Sequence, residues 1–166
     1  MACGTKYTRK INRTMAKKRV LHFIDSGGMY GAESVIMNLS REMIANGAYV
    51  PVIGCIVRDM KVDVDLVRAS MLIGVEAHKI SISNKFLIRD LLKAAGILKR
   101  INIDLIHSHG YKPSVFGFAI SMLASIPIMA TCHLWFKDKK SPLKKRVMIM
   151  LELFLYRFFP AIVAVS

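Results

Sequence analysis

The chain has 166 residues, room for one domain rather than two full-sized ones, and its 54% hydrophobic content excludes a chain that is disordered throughout. Its net charge of +14 sits at the two ends. Residues 1–19 hold seven Lys/Arg and no acid, residues 20–136 are nearly balanced, and residues 137–166 hold seven basic and two acidic residues. Such flanks call for an anionic partner, either membrane lipid or nucleic acid.

Residues 1–19 read as a basic extension without fold, and Met15-Ala16-Lys17-Lys18-Arg19 resembles a natural start. No apolar core with a small-residue cleavage site follows them, so no signal peptide is read. The domain is expected over 20–166. A short apolar run, 20–24, is predicted as a buried strand that ends in a glycine loop. Helix 32–45 follows, with Val35, Ile36, Leu39 and Met43 at helical spacing and Asn46-Gly47 as its stop. Strand 49–57, helix 63–73, strand 75–80, helix 86–101 and strand 103–107 come next.

Residues 113–136 carry no formal charge, but Pro127 breaks the run, and a helix over 114–125 followed by a strand over 128–132 explains it better than a membrane span. A long apolar helix over 142–159 and a strand over 161–165 close the chain. Continuous apolar strands alternating with helices predict an α/β fold: a Rossmann-like parallel sheet with helices on both faces. Cys3, Cys55 and Cys132 are odd in number and far apart, which argues against a disulfide frame and a zinc site and for a reducing setting.

In an open α/β sheet, ligands bind beyond the carboxyl ends of the strands. Three segments fall there. Asp25-Ser26-Gly27-Gly28-Met29-Tyr30-Gly31-Ala32-Glu33 runs from a strand into a helix, where amides are offered to an anion. It misses the dinucleotide fingerprint, because Ser26 stands at the first glycine, and strand two is followed by Arg58 rather than by a ribose-binding acid. In His107-Ser108-His109-Gly110-Tyr111-Lys112 the two histidines lie on one side of a strand. A metal pair is conceivable, but no carboxylate or cysteine nearby completes it; His107 reads as structural and His109 as the better ligand contact. Thr131-Cys132-His133 puts a third histidine at a strand end. The cations Lys140, Lys144, Lys145 and Arg146 lead into the last helix, opposing its dipole, and suit an anion or a membrane surface.

Taken in order, these segments resemble the N-terminal, acceptor-side domain of the family 4 glycosyltransferases, which have the GT-B architecture. The matching stretches are the residues from Val20 through the glycine loop to Glu33, Asp104-Leu105-Ile106-His107-Ser108-His109-Gly110-Tyr111, Ile126-Pro127-Ile128-Met129-Ala130-Thr131-Cys132-His133 and Ala161-Ile162-Val163-Ala164-Val165-Ser166. The resemblance implies transfer of a hexose from a nucleotide-sugar donor to a saccharide or lipid-linked acceptor with retention, without a cofactor or an essential metal. It implies that Gly27, Gly28, Met29 and Tyr30 border the donor and acceptor cleft. His133 is implied as the catalytic contact to the donor sugar, and His109, Tyr111 and Lys112 as the acceptor side.

The family's donor-binding domain, with paired glutamates at an E-x7-E spacing, has no counterpart in these residues, so the chain alone is expected to lack activity. A cytoplasmic location, peripheral on the inner face of the membrane, is the accompanying expectation, with a cell-envelope saccharide as acceptor. Two alternatives stand beside this reading: an NAD(P)-binding dehydrogenase domain and a non-catalytic membrane-surface module. Nucleic acid ranks last, because aromatics are not interleaved with the N-terminal cations.

Overall fold

The computed structural model describes residues 17–83, 85–133 and 142–165. Residues 1–16 of the basic extension and the cation Lys140 lie outside the described residues, as do the side chains of His133 and Lys144.

Six parallel strands make one sheet: β1 (Lys18–Ile24), β2 (Tyr49–Val57), β3 (Glu76–Ser81), β4 (Leu105–His109), β5 (Ile128–His133) and β6 (Ile162–Val165), in the order β3-β2-β1-β4-β5-β6. The helices are α1 (Gly31–Asn46), α2 (Asp65–Leu72), α3 (Leu87–Arg100), α4 (Tyr111–Ala124) and α5 (Leu143–Leu155), the last followed by a short 3₁₀ turn, Tyr156–Phe158. The inner strands are apolar because both faces are covered; in the edge strand β6, Ile162 and Val163 remain exposed. On one face Leu21, Phe23, Ile106 and Ile128 pack against Leu98 of α3 and Ile120 of α4. On the other, Ile24, Ile53 and Cys55 pack against Ile36 and Met37 of α1 and Leu66 of α2. This is the Rossmann-like α/β architecture expected.

Several boundaries differ from the sequence reading. Strand β1 begins at Lys18, not Val20, because Asp104 holds its start: the Arg19 amide donates to Asp104 Oδ2 at 2.9 Å and Lys18 Nζ lies 2.9 Å from Oδ1. Arg19 also meets Glu76 at 2.6 Å, so two cations assigned to a tail belong to the sheet. Strand β4 runs to His109, and α4 starts at Tyr111, with Gly110 between them at φ 90°, a backbone conformation that glycine adopts without strain. The long terminal helix is shorter, and Leu155 passes into the 3₁₀ turn.

The chain crosses the sheet once. From β1 it proceeds outward through β2 to β3, returns to pair β4 on the other side of β1, and proceeds outward again. The connections out of β1 and β4 therefore diverge and open a crevice at their carboxyl ends. Among the described residues no helix is long and apolar enough to cross a membrane.

Candidate functional site

The crevice is built by the two loops that leave β1 and β4. Ile24 and His109 are paired across the sheet, so the glycine loop and Gly110 start at the same height. Lys112, in the first turn of α4, forms an ion pair with Asp25, the first residue after β1, and ties the two loops together. Ser26 Oγ donates to the Gly28 carbonyl at 3.1 Å and tightens the turn. Gly28 takes φ 157°, a backbone conformation that other residues rarely adopt, and a Cβ there would also push the mobile ring of Tyr30 aside. Tyr30 itself is 67% exposed, and Met29 is exposed beside it.

Helix α1 begins at this loop. Its N-terminal charge is met from within: the buried Glu33 carboxylate accepts the Tyr30 amide at 3.1 Å. The amides of residues 31–33 have no acceptor inside the helix, as in any first turn, and remain the donors an anion could use.

Two cavities open here and share Asp25, Arg58 and Lys112 as a common wall. One, about 370 Å³, lies over Ser26, Gly27 and Gly28 and is bordered by Asp63 and Asp65. The other, about 420 Å³, has an apolar wall of Leu87, Phe116 and Met148 and a polar rim of Tyr111, Lys112 and Lys145. Both are of ligand size. The crevice thus brings Gly27, Gly28, Tyr111 and Lys112 together, whereas Met29 and Tyr30, expected at the same cleft, line neither cavity.

His109 does not line it. It is buried against His22, whose Nδ1 lies 3.2 Å from His109 Nε2. The reason is the strand boundary. Because β4 extends through residue 109, side-chain alternation turns His109 to the same face as His107 and His22. His107, read as structural, meets Thr131 Oγ1 at 2.7 Å. His133 is the last residue of β5, at the same sheet edge. Of the cationic segment, Lys145 and Arg146 are exposed, and Lys145 reaches the second cavity.

Two residues here were not among the expected site residues: Arg58, named above only as standing where a ribose-binding acid would, and His22. Arg58 follows the end of β2 directly, and that position was its available signal. His22 had none, since an apolar strand conceals which face a single polar residue occupies. A third omission is Glu152 of α5, fully buried, whose Oε1 accepts a 2.6 Å hydrogen bond from the Tyr156 hydroxyl. Burial raises its carboxyl above the ordinary range, and Oε2 has no partner among the described residues.

The profile of glycosyltransferase family 4 matches residues 29–166, most of the chain. The chain belongs to glycosyltransferase family 4. The match starts within the glycine loop, after Gly28. Among solved structures, the chain is similar to a glycosyltransferase from Rickettsia africae ESF-5 (19% identity, TM-score 0.64), covering 90% of this chain and 37% of that one. It is also similar to Anabaena Alr3699/HepE in complex with UDP and glucose (16%, 0.63; 86% and 37%) and to Acinetobacter baumannii MurG (13%, 0.58; 89% and 41%). These likenesses are of fold, and the chain spans only about two-fifths or less of each neighbour's length. No curated protein sequence matches it.

Proposed function

We propose that this family 4 chain is the acceptor-side part of a retaining glycosyltransferase that moves a hexose from a nucleotide-sugar to a saccharide or lipid-linked acceptor. The observation that carries the reading is the second cavity, where an apolar wall of Leu87, Phe116 and Met148 faces the cations Arg58, Lys112 and Lys145. That combination suits an acceptor with both a hydrocarbon part and an anionic group. The adjoining cavity over Gly27 and Gly28 is the donor's border. The Anabaena neighbour was solved with UDP-glucose, a donor of the class proposed here.

In this reading the acceptor hydroxyl oxygen bonds to the anomeric carbon as the bond to the diphosphate breaks, and the proton leaves with the departing phosphate. First-turn amides of α1 stabilise the charge that develops there, Lys112 holds the anionic group of the acceptor, and His133 holds the donor sugar. No cofactor is required. The donor pocket itself lies in a further domain, so these residues by themselves turn over no donor. The test is an assay of nucleotide release and sugar transfer with the 166-residue chain and with the same chain joined to a donor-binding domain. Activity is expected only in the joined protein, where Lys112→Ala raises the acceptor KM at least tenfold. Sugar transfer by the isolated chain would refute the division of labour.

Helix α5 adds a location to the reading. Its side chains split into two faces: Met148, Glu152 and Leu155 turn inward, while Leu143, Val147, Met150 and Phe154 form an exposed stripe. With Lys145 and Arg146 at its start, this stripe supports peripheral contact with an anionic membrane surface.

A further inference from the structure

Alternation along β1 sends Leu21 and Phe23 to one face of the sheet and His22 to the other. The register brings His22 opposite His107, and Ile24 opposite His109. Three imidazoles therefore meet at the centre of the sheet. Their ring centroids are 4.3 to 5.4 Å apart, and the residues are 1, 8 and 3% exposed in chain order. One ring nitrogen of each lies within 4.8 Å of those of the other two.

We propose that His22, His107 and His109 form a binding site for a first-row divalent transition metal, with zinc the best fit. Three features support it. Zinc holds imidazole nitrogen at about 2.0–2.1 Å in a tetrahedron, which sets ligand nitrogens about 3.3 Å apart. His22 Nδ1 and His109 Nε2 already stand 3.2 Å apart, so small ring rotations bring the third nitrogen in. The remaining nitrogen of His22 lies 3.4 Å from Met43 Sδ, and His107 Nε2 lies 2.7 Å from Thr131 Oγ1. A polar outer partner such as the Thr131 hydroxyl orients a ligating histidine. Donors that are all imidazole select zinc, cobalt, nickel or copper over magnesium or calcium.

Three protein ligands leave one tetrahedral position to water. The ion joins β1 to β4, the two strands whose ends carry the glycine loop and Gly110. It stiffens the floor of the crevice and takes no part in the transfer proposed above, on which this site does not depend.

The test uses the full chain, stripped with a chelator and titrated with cobalt(II). One equivalent is expected to bind with the visible bands of tetrahedral cobalt, to be displaced by zinc, and to raise the thermal midpoint. His22→Gln weakens binding at least 100-fold, whereas His78→Gln, at a partly exposed histidine of β3 paired with Glu76, leaves it unchanged. X-ray absorption on the unmodified zinc-loaded chain needs no variant and shows three imidazoles without sulfur. The assignment is overturned by a chain that takes up no cobalt, by full-affinity binding in His22→Gln, or by a sulfur shell around the zinc.

Discussion

At the scale of single residues, the buried His22 makes the metal-free chain sensitive to acid. Burial, and then the neighbouring His107, bring His22 down to about 3 from an ordinary value near 6.5. A histidine whose folded pKa is lowered binds its proton more readily in the unfolded chain. Its contribution is therefore fully present above pH 6.5 and is lost as pH falls from 6.5 toward 3. The slope is at most about 1.4 kcal/mol per pH unit for this one group. Urea melts of metal-free protein between pH 7.5 and 4.5 are expected to show this loss, and His22→Leu is expected to flatten it.

Glu152 has the opposite sign. Its raised folded pKa means that stability is lost as pH rises above the ordinary carboxyl range, because the charge is unwelcome inside. Glu152→Gln keeps the shape and removes that cost. Its thermal midpoint is expected to exceed that of the parent chain at pH 8 and to match it near pH 4. A midpoint lower at pH 8 would show that the hydrogen bond from Tyr156 outweighs the cost of burying the charge.

At the scale of elements, close approach between helix and sheet decides which substitutions the fold tolerates. A Cβ on Gly117 of α4 would lie 3.0 Å from Ile128 Cδ1 and 3.4 Å from Phe23 Cδ1. Gly117→Val adds more volume than this contact can absorb, and overpacking of this kind costs about 1–3 kcal/mol. Chemical denaturation should show a lower midpoint with an unchanged slope. Nothing in the pattern of residues 114–125 singles out Gly117, because the requirement comes from a strand that follows it in sequence and lies beneath it in space.

The same scale explains the reading of His109. Hydrophobic periodicity locates β4 but not its last residue, and two further residues of strand turn a proposed cleft contact into a buried one. Helix α5 is a related case. Its apolar residues surround the helix in sequence, and only packing against α4 separates the covered face from the exposed stripe.

At the scale of the whole molecule, the charge asymmetry becomes spatial. Lys18 and Arg19 are drawn into the sheet by Asp104 and Glu76, so part of the N-terminal excess is structural. Arg146 remains exposed on the flank of the apolar stripe of α5, and Lys145, also exposed, turns toward the second cavity. Binding to phosphatidylcholine vesicles containing phosphatidylglycerol is expected to weaken as salt rises. Lys145→Ala with Arg146→Ala should cost about 2 kcal/mol at low salt, or some 30-fold in affinity. Equal binding to neutral vesicles would remove the electrostatic part of the proposal.

The amino-acid sequence alone determined the fold class, the number of strands, the glycine loop and the family, because apolar runs, helical spacing and turn residues are local properties of a chain. It also placed Gly27, Gly28, Tyr111 and Lys112 at the carboxyl edge, since any parallel α/β sheet carries its loops there. Tertiary structure decided what depends on strand order and register. Pairing β1 with β4 joined Asp25 to Lys112 across 87 positions, set Arg58 in the wall of both cavities, and gathered His22 with His107 and His109. Those contacts connect residues far apart in the chain, and no local pattern encodes which strand will lie beside which.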